Sequence, residues 1–185
     1  MSIWGLFYNK NIVKFKWIWL LIFFVILVGV FVFISPPQIK NLAPVLRETA
    51  KVSRVIDGDT IKVLINNKGD TVRLIGIDAP ETVDPKKPVQ CFGKEASAKA
   101  KEILTDKTII LESDPTQGER DMYGRLLRYV FLEDGTNFDE LMISQGFARE
   151  YTYKNNIYKY TEKFRNAQKL AKENKEGLWS YCLGR

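Results

Sequence analysis

At 185 residues the chain has room for one domain of ordinary size plus an appendage, and its 45% of hydrophobic residues suits a globular protein. There is no histidine, which excludes histidine-based acid–base chemistry and most zinc sites. Four of the 28 basic residues (Lys10, Lys14, Lys16 and Lys40) fall in the acid-free first 40 positions; without them the formal +6 becomes 24 bases against 22 acids, only +2, so bulk charge carries no polyanion signal.

In chain order, the basic N-terminus (1–16) precedes WIWLLIFFVILVGVFVFI, residues 17–34, which has no charge. As a helix these 18 residues span roughly 27 Å, close to the hydrocarbon thickness of a bilayer. They are apolar all round, whereas a core helix keeps a polar stripe. A single transmembrane helix is expected, with the lysine-flanked N-terminus cytoplasmic and the remainder extracytoplasmic. A cleaved signal peptide with secretion is the competing reading, although FISPPQ offers no small-x-small site. Residues 35–48, with three prolines, read as a short stalk.

From residue 49 the pattern changes to short strands followed by helices. TAKVSRVI, TIKVLIN and TVRLIGI are β-branched runs separated by DGD and by the hairpin turn NNKGD. GKEASAKAKEIL places Ala96, Ala100, Ile103 and Leu104 at helical spacing. TIILES and RLLRYVFL return to strand character, and TNFDELMISQG reads as a capped helix closed by glycine. A longer helix is expected from Asn156 to Asn174, with Phe164, Ala167, Leu170 and Ala171 on one face. The expected class is α+β: a five-stranded OB-type β-barrel with three helices in residues 49–185, preceded by the membrane helix. Periodicity alone does not say whether the barrel closes.

The charged residues of this domain sit where strands end. Asp57 and Asp59 occupy the first turn, Asp78 and Glu81 leave the third strand, Arg73 lies within it, and Arg125 opens another after DMYG. Singly, each has a bland reading as a solvated turn or a snorkelling strand arginine. Together they are the parts needed to hydrolyse a phosphodiester. Hard oxygen ligands can hold a calcium ion against a phosphate oxygen. Guanidinium groups can grip the other oxygens, and a carboxylate can take a proton from water.

VIDGDT, VRLIGIDAPE, GKEAS, DMYGR, QGFAREYTYKNN and the closing GLW occur in the order and at the spacing of the staphylococcal nuclease (thermonuclease) family, which the chain resembles from about Val52 to Trp179. The resemblance implies a calcium-dependent nuclease acting on DNA and RNA and leaving 3′-phosphate ends. By motif position it implies Asp59, Asp78 and the main-chain carbonyl of Ala79 as calcium ligands, and Asp57 as a residue orienting metal-bound water. It implies Glu81 as general base and Arg73 and Arg125 on the phosphate. Ala79 stands where the best-known member has threonine, a change that a carbonyl ligand tolerates.

Tyr151 and Tyr153 resemble the family's tyrosines beside the bound nucleotide, and would share a face if AREYTYKNN is extended. Tyr123 could offer its hydroxyl to a phosphate. Met122 replaces a lysine of the best-known member, and Lys86, Lys87 and Lys154 could contribute backbone contacts instead. Cys91 and Cys182 match no metal motif; in an oxidising compartment an even pair is expected to bridge, the alternative being two free buried thiols. The expected partners are nucleic acid and, through the N-terminal helix, the membrane, with a monomeric catalytic domain. The rival function is a membrane-tethered OB-type module that binds nucleic acid without cutting it.

Overall fold

The computed structural model describes residues 19–26, 44–82 and 88–182. Residues 19–26 form a helical segment, and among the described residues no helix is long and apolar enough to cross a membrane. Most of the expected span at 17–34, the stretch 1–16 and residues 35–43 of the stalk lie outside the described residues. The chain divides into two units, 1–41 and 42–185, and the second carries the candidate site.

Five strands of that unit close into a barrel in the order β1-β2-β3-β6-β5. They are β1 (Arg47–Val55), β2 (Thr60–Ile65), β3 (Lys68–Leu74), β5 (Thr108–Glu112) and β6 (Leu126–Leu132). A two-stranded sheet of β4 (Ile77–Asp78) and β7 (Arg149–Glu150), not foreseen from the sequence, lies outside it. β1 begins two residues inside the stretch read as stalk. It pairs with β5 through its first half and with β2 through its second, and a bulge between Val52 and Arg54 bends it from one partner to the other. The bulge also shifts the alternation by one residue. Ala50 and Val52 point inward, and after it Val55 does, leaving Arg54 outside. Closure comes from the parallel pairing of β3 with β6, in register Arg73↔Leu127. Val52, Val63, Val72, Ile109, Leu111 and Val130 are fully buried, which is the inward half of an alternating barrel wall.

Helix α1 (Gly93–Leu104) buries Ala96, Ala100 and Leu104 as its spacing predicts. Helix α2 (Phe138–Ser144) is capped by Asn137, whose side-chain oxygen accepts the Glu140 N–H at 3.0 Å. Helix α3 (Thr161–Glu173) starts five residues later than expected. The delay has a local cause. Tyr158 is buried with its hydroxyl on Glu150, the Lys159 N–H donates to Asp114, and the Tyr158 N–H donates to the Thr161 hydroxyl at 3.0 Å. These bonds take up the backbone that a helix would need. Phe164, Ala167 and Ala171 are buried as expected, but Leu170 is exposed, because the contact stripe is narrower than the apolar one. A four-residue helix, α4 (Leu178–Tyr181), ends the described chain. It is anchored by the Leu178 N–H to Gly146 O and by Trp179, whose ring carries Lys172 at 4.6 Å and Arg149 at 5.5 Å. Gly146 and Gly177 meet backbone to backbone there. A Cβ on Gly146 would lie 2.3 Å from Glu176 O, and its φ of +70° disfavours side chains in any case.

One buried acid stands apart. Asp139 in the first turn of α2 is fully buried, with one oxygen accepting the Val130 N–H at 3.2 Å and the other without a partner. Burial holds its carboxyl well above the ordinary 3.8, and the Val130 bond and the Arg73 charge offset this only in part. The folded state therefore binds a proton that the unfolded chain releases earlier. Its contribution to stability is complete below the unfolded value and is lost as pH rises toward the folded one. Asp139→Asn removes that loss. Its stability relative to wild type is expected to grow between pH 4 and pH 7, read from urea midpoints at both. Any constant offset from the new amide cancels in that comparison, and an unchanged difference would mean that Asp139 is ionised in the native protein.

Candidate active site

The first turn is shaped by close approach. Gly58 separates Asp57 from Asp59, and a Cβ on it would lie 2.5 Å from the Ala79 Cβ, so this turn and the exit of β4 require a residue without a side chain. The contact carries Asp59 onto the segment after β4. One oxygen of Asp59 accepts the Ala79 N–H at 2.8 Å and the other accepts the Thr60 hydroxyl at 2.9 Å. Asp57 accepts the Asp59 N–H at 3.1 Å. Twenty residues of sequence separate Asp59 from Ala79, yet one carboxylate joins them.

Arg73 sits at the centre. Its Nη1 donates to the carbonyls of Leu74 at 2.9 Å and Ile77 at 2.8 Å. Its Nη2 lies 3.2 Å from Asp59 and 3.3 Å from Asp78. The guanidinium thus ties the two aspartates to each other and to the bend between β3 and β4. One cation does not neutralise this crowd of acids. Burial and the charge of Asp59 push Asp57 up to about 7, and burial followed by Asp59 raises Asp78 as well, with Glu81 adding to the effect. Additional positive charge at this point would be strongly favoured.

Arg125 is placed by its own turn. Asp121 accepts the Arg125 N–H at 3.0 Å and its Nε–H at 2.7 Å, and the guanidinium lies 5.4 Å from the centre of the Tyr123 ring. Arg120 fastens the same turn, pairing with Asp70 at 2.6 Å and donating to Gly124 O at 2.6 Å. Arg73, Asp78, Tyr123, Arg125, Tyr151 and Tyr153 all line one open cavity of about 550 Å³. Asp57, Asp59 and Ala79 are buried beside Arg73 rather than on the cavity wall.

The tyrosine stretch is not extended throughout. Residues Tyr153–Asn155 form a 3-10 turn with Lys154 at φ 45°, so period-two alternation does not apply. The rings of Tyr151 and Tyr153 are still neighbours, 6.4 Å apart, and both are substantially exposed. Lys154 lies over the Tyr153 ring at 5.2 Å. Met122 is 83% exposed at the cavity rim and offers no charge there. Lys86 and Lys87 lie outside the described residues.

Glu81 follows Asp78 by three residues and is half-buried, with its carboxylate accepting the Thr82 N–H at 2.8 Å. Cys91 and Cys182 are joined by a disulfide, their Cα atoms 6.0 Å apart, which ends the free-thiol alternative. Among the described residues no three histidine, cysteine, aspartate or glutamate side chains gather as a ready metal site. The ligand set expected here needs only two carboxylates and a main-chain carbonyl, all hard oxygens of the kind calcium takes. With Asp57 and Asp78 raised first by burial and then by the charge of Asp59, these residues fit a divalent cation.

Sequence reasoning passed over Asp121, Gln117 and Asn156. Asp121 stands four residues before Arg125 inside DMYGR, a spacing that could have suggested their pairing. Gln117 and Asn156 line the cavity, and Gln117 donates to the Asn156 carbonyl at 3.3 Å across 39 residues, a contact without any local signal.

The model of the family described as Staphylococcal nuclease homologue matches residues 71–181. The chain is 44% identical over 146 residues to the thermonuclease of Staphylococcus hyicus, covering 79% of this chain and 84% of that protein. It is 42% identical over 145 residues to endonuclease YncB of Bacillus subtilis (strain 168), covering 78% of this chain and 66% of that one. A third relative, the SPbeta prophage-derived endonuclease YokF of the same organism, is 42% identical over 130 residues, 70% of this chain and 43% of its own length. With a closed five-stranded barrel, two arginines on one cavity and an acid cluster beside it, the chain belongs to the staphylococcal nuclease family and is a phosphodiester-hydrolysing nuclease.

Proposed function

We propose that the chain is a calcium-dependent nuclease that cuts DNA and RNA and leaves 3′-phosphate ends, with Arg73, Glu81 and Arg125 as its catalytic residues. The observation that carries this reading is the single Arg73 guanidinium shared by Asp59 and Asp78 at the edge of a cavity that also holds Arg125. A phosphate in this cavity would be met by arginines on its lining, each able to make paired charge-assisted bonds to its oxygens. Asp59, Asp78 and the Ala79 carbonyl would hold the calcium, and Asp57 would steady the ligands from behind. A bound calcium ion supplies positive charge to a phosphate oxygen and lowers the cost of deprotonating water. Glu81 takes a proton from the attacking water as the water oxygen bonds to phosphorus, and the bond to the 5′-oxygen breaks, that oxygen leaving as a hydroxyl with a proton from solvent. Arg73 and Arg125 neutralise the charge that builds on the phosphate oxygens. Tyr151 and Tyr153 offer aromatic faces on which any base can stack, and Tyr123 offers a hydroxyl beside Arg125.

The test is cleavage of single-stranded DNA and RNA by the full-length protein in detergent. Activity is expected with calcium, lost in chelator and restored by calcium in excess. Undiminished cutting in chelator would overturn the metal assignment, and binding without cutting under every condition would favour the binding-only module.

Residues 17–34 support a second element of the proposal, a membrane anchor that leaves the nuclease domain, proposed to act as a monomer, extracytoplasmic. Protease added to intact cells or spheroplasts is expected to remove the domain. Digestion only after the membrane is opened would reverse the orientation.

A further inference from the structure

Glu81 is held by a residue that no sequence motif marks. Its backbone N–H donates to the side-chain oxygen of Gln90 at 3.0 Å, and its carbonyl accepts the Gln90 N–H at 2.9 Å. One glutamine therefore grips Glu81 at both of its main-chain groups. Gln90 is itself fixed from behind. Its carbonyl accepts the Gly93 N–H at 3.0 Å as α1 begins, and the next residue, Cys91, is bonded to Cys182 at the end of α4. Phe92 follows in the left-handed region, its ring stacked on Phe147 at 5.5 Å and 5.7 Å from Tyr181. Gly93 packs closely on the same segment, where a Cβ would meet the Thr82 methyl at 2.7 Å and the Pro80 and Glu81 carbonyls at 3.1 Å. Glu81 is thus clamped through Gln90 to the start of α1 and, through a covalent bond, to the C-terminal helix.

We propose that Gln90 is a positioning residue for the reaction: its paired bonds to the Glu81 backbone set where the Glu81 carboxylate stands. This rests on the reading of Glu81 as the base. The amide side chain suits the task because it accepts the Glu81 N–H without adding a second charge near a carboxylate that must take a proton. Displacement of a reacting group by about 1 Å can cost on the order of 10²-fold in rate. Loss of one of two backbone bonds is a smaller disturbance, so Gln90→Ala is expected to lower kcat by about 10-fold with little change in KM.

The experiment is a double-mutant cycle on the full-length protein, with kcat and KM measured for wild type, Q90A, E81Q and the double variant, and thermal midpoints recorded throughout. Q90A is expected to cost about 10-fold in kcat in the wild-type background and less than about 2-fold in the E81Q background. Gln90→Glu, which keeps the acceptor, should recover most of the rate at high pH and shift the acid limb of the kcat profile. A structural role alone would move neither signature. If E81Q is slow but Q90A is equally costly in both backgrounds, the role of Gln90 is overturned while the base stands. If E81Q cuts at the wild-type rate, the base assignment falls first and this role falls with it. If Q90A alone lowers the thermal midpoint enough to unfold under assay, Gln90→Met, which fills similar space without an acceptor for the Glu81 N–H, takes its place in both backgrounds and decides the same question.

Discussion

Glu81→Gln is expected to slow cleavage by about 10²–10⁴-fold, equivalent to about 3–5 kcal/mol of barrier, while nucleic-acid affinity and folding stay near wild type. The amide is nearly isosteric and keeps an oxygen for the Thr82 N–H, so the hydrogen bond at 2.8 Å survives. The Gln90 bonds are to the backbone and survive too. What disappears is the group that can take the proton from water. Single-turnover cleavage with calcium saturating, alongside oligonucleotide binding in chelator, separates the two effects. A variant that binds and cuts like wild type would sink the assignment of Glu81, and one that no longer binds would place Glu81 in substrate contact instead.

Arg125→Ala is expected to cost more, about 10³–10⁵-fold in kcat, the range over which an arginine stabilises phosphoryl charge in a transition state. The structure explains why a lysine should not restore it. Asp121 holds Arg125 through Nε, which fixes the guanidinium plane and presents the terminal nitrogens as a pair. An ammonium has one point of charge and no such plane, so Arg125→Lys should recover only part of the loss. The diagnostic is where the loss falls. An arginine acting on the transition state lowers kcat and kcat/KM together, and a loss confined to KM would make it a binding residue only. Asp121→Ala should give a weaker version of the same pattern, because it frees the guanidinium without removing it.

Much of the fold was legible because burial on one face leaves a periodic trace. The inward residues Val63 and Val72 alternate with exposed or half-exposed neighbours along their strands, and Ala96, Ala100 and Leu104 recur at helical spacing in α1. The candidate site was legible for another reason. Charged residues at strand ends have no packing role to explain them, and in this chain they cluster in short motifs matched to one family. The bulge in β1 and the late start of α3 were not legible. Each depends on a partner distant in sequence: β2 and β5 competing for one strand, and Asp114 reaching the Lys159 N–H across 45 residues.

Read alone, the residue order tells which positions carry charge where strands end, which faces of most strands and helices turn inward, and which family the motifs belong to. These are local properties, set by side-chain chemistry and by periods of two and 3.6 residues. Three-dimensional folding is what closes the barrel through β3 and β6, joins Cys91 to Cys182, shares Arg73 between two aspartates and sets Gln90 on Glu81. Such contacts join main-chain groups or side chains far apart in sequence. Backbone N–H and carbonyl groups are the same in every residue but proline, so nothing in the order of side chains announces which pair will meet.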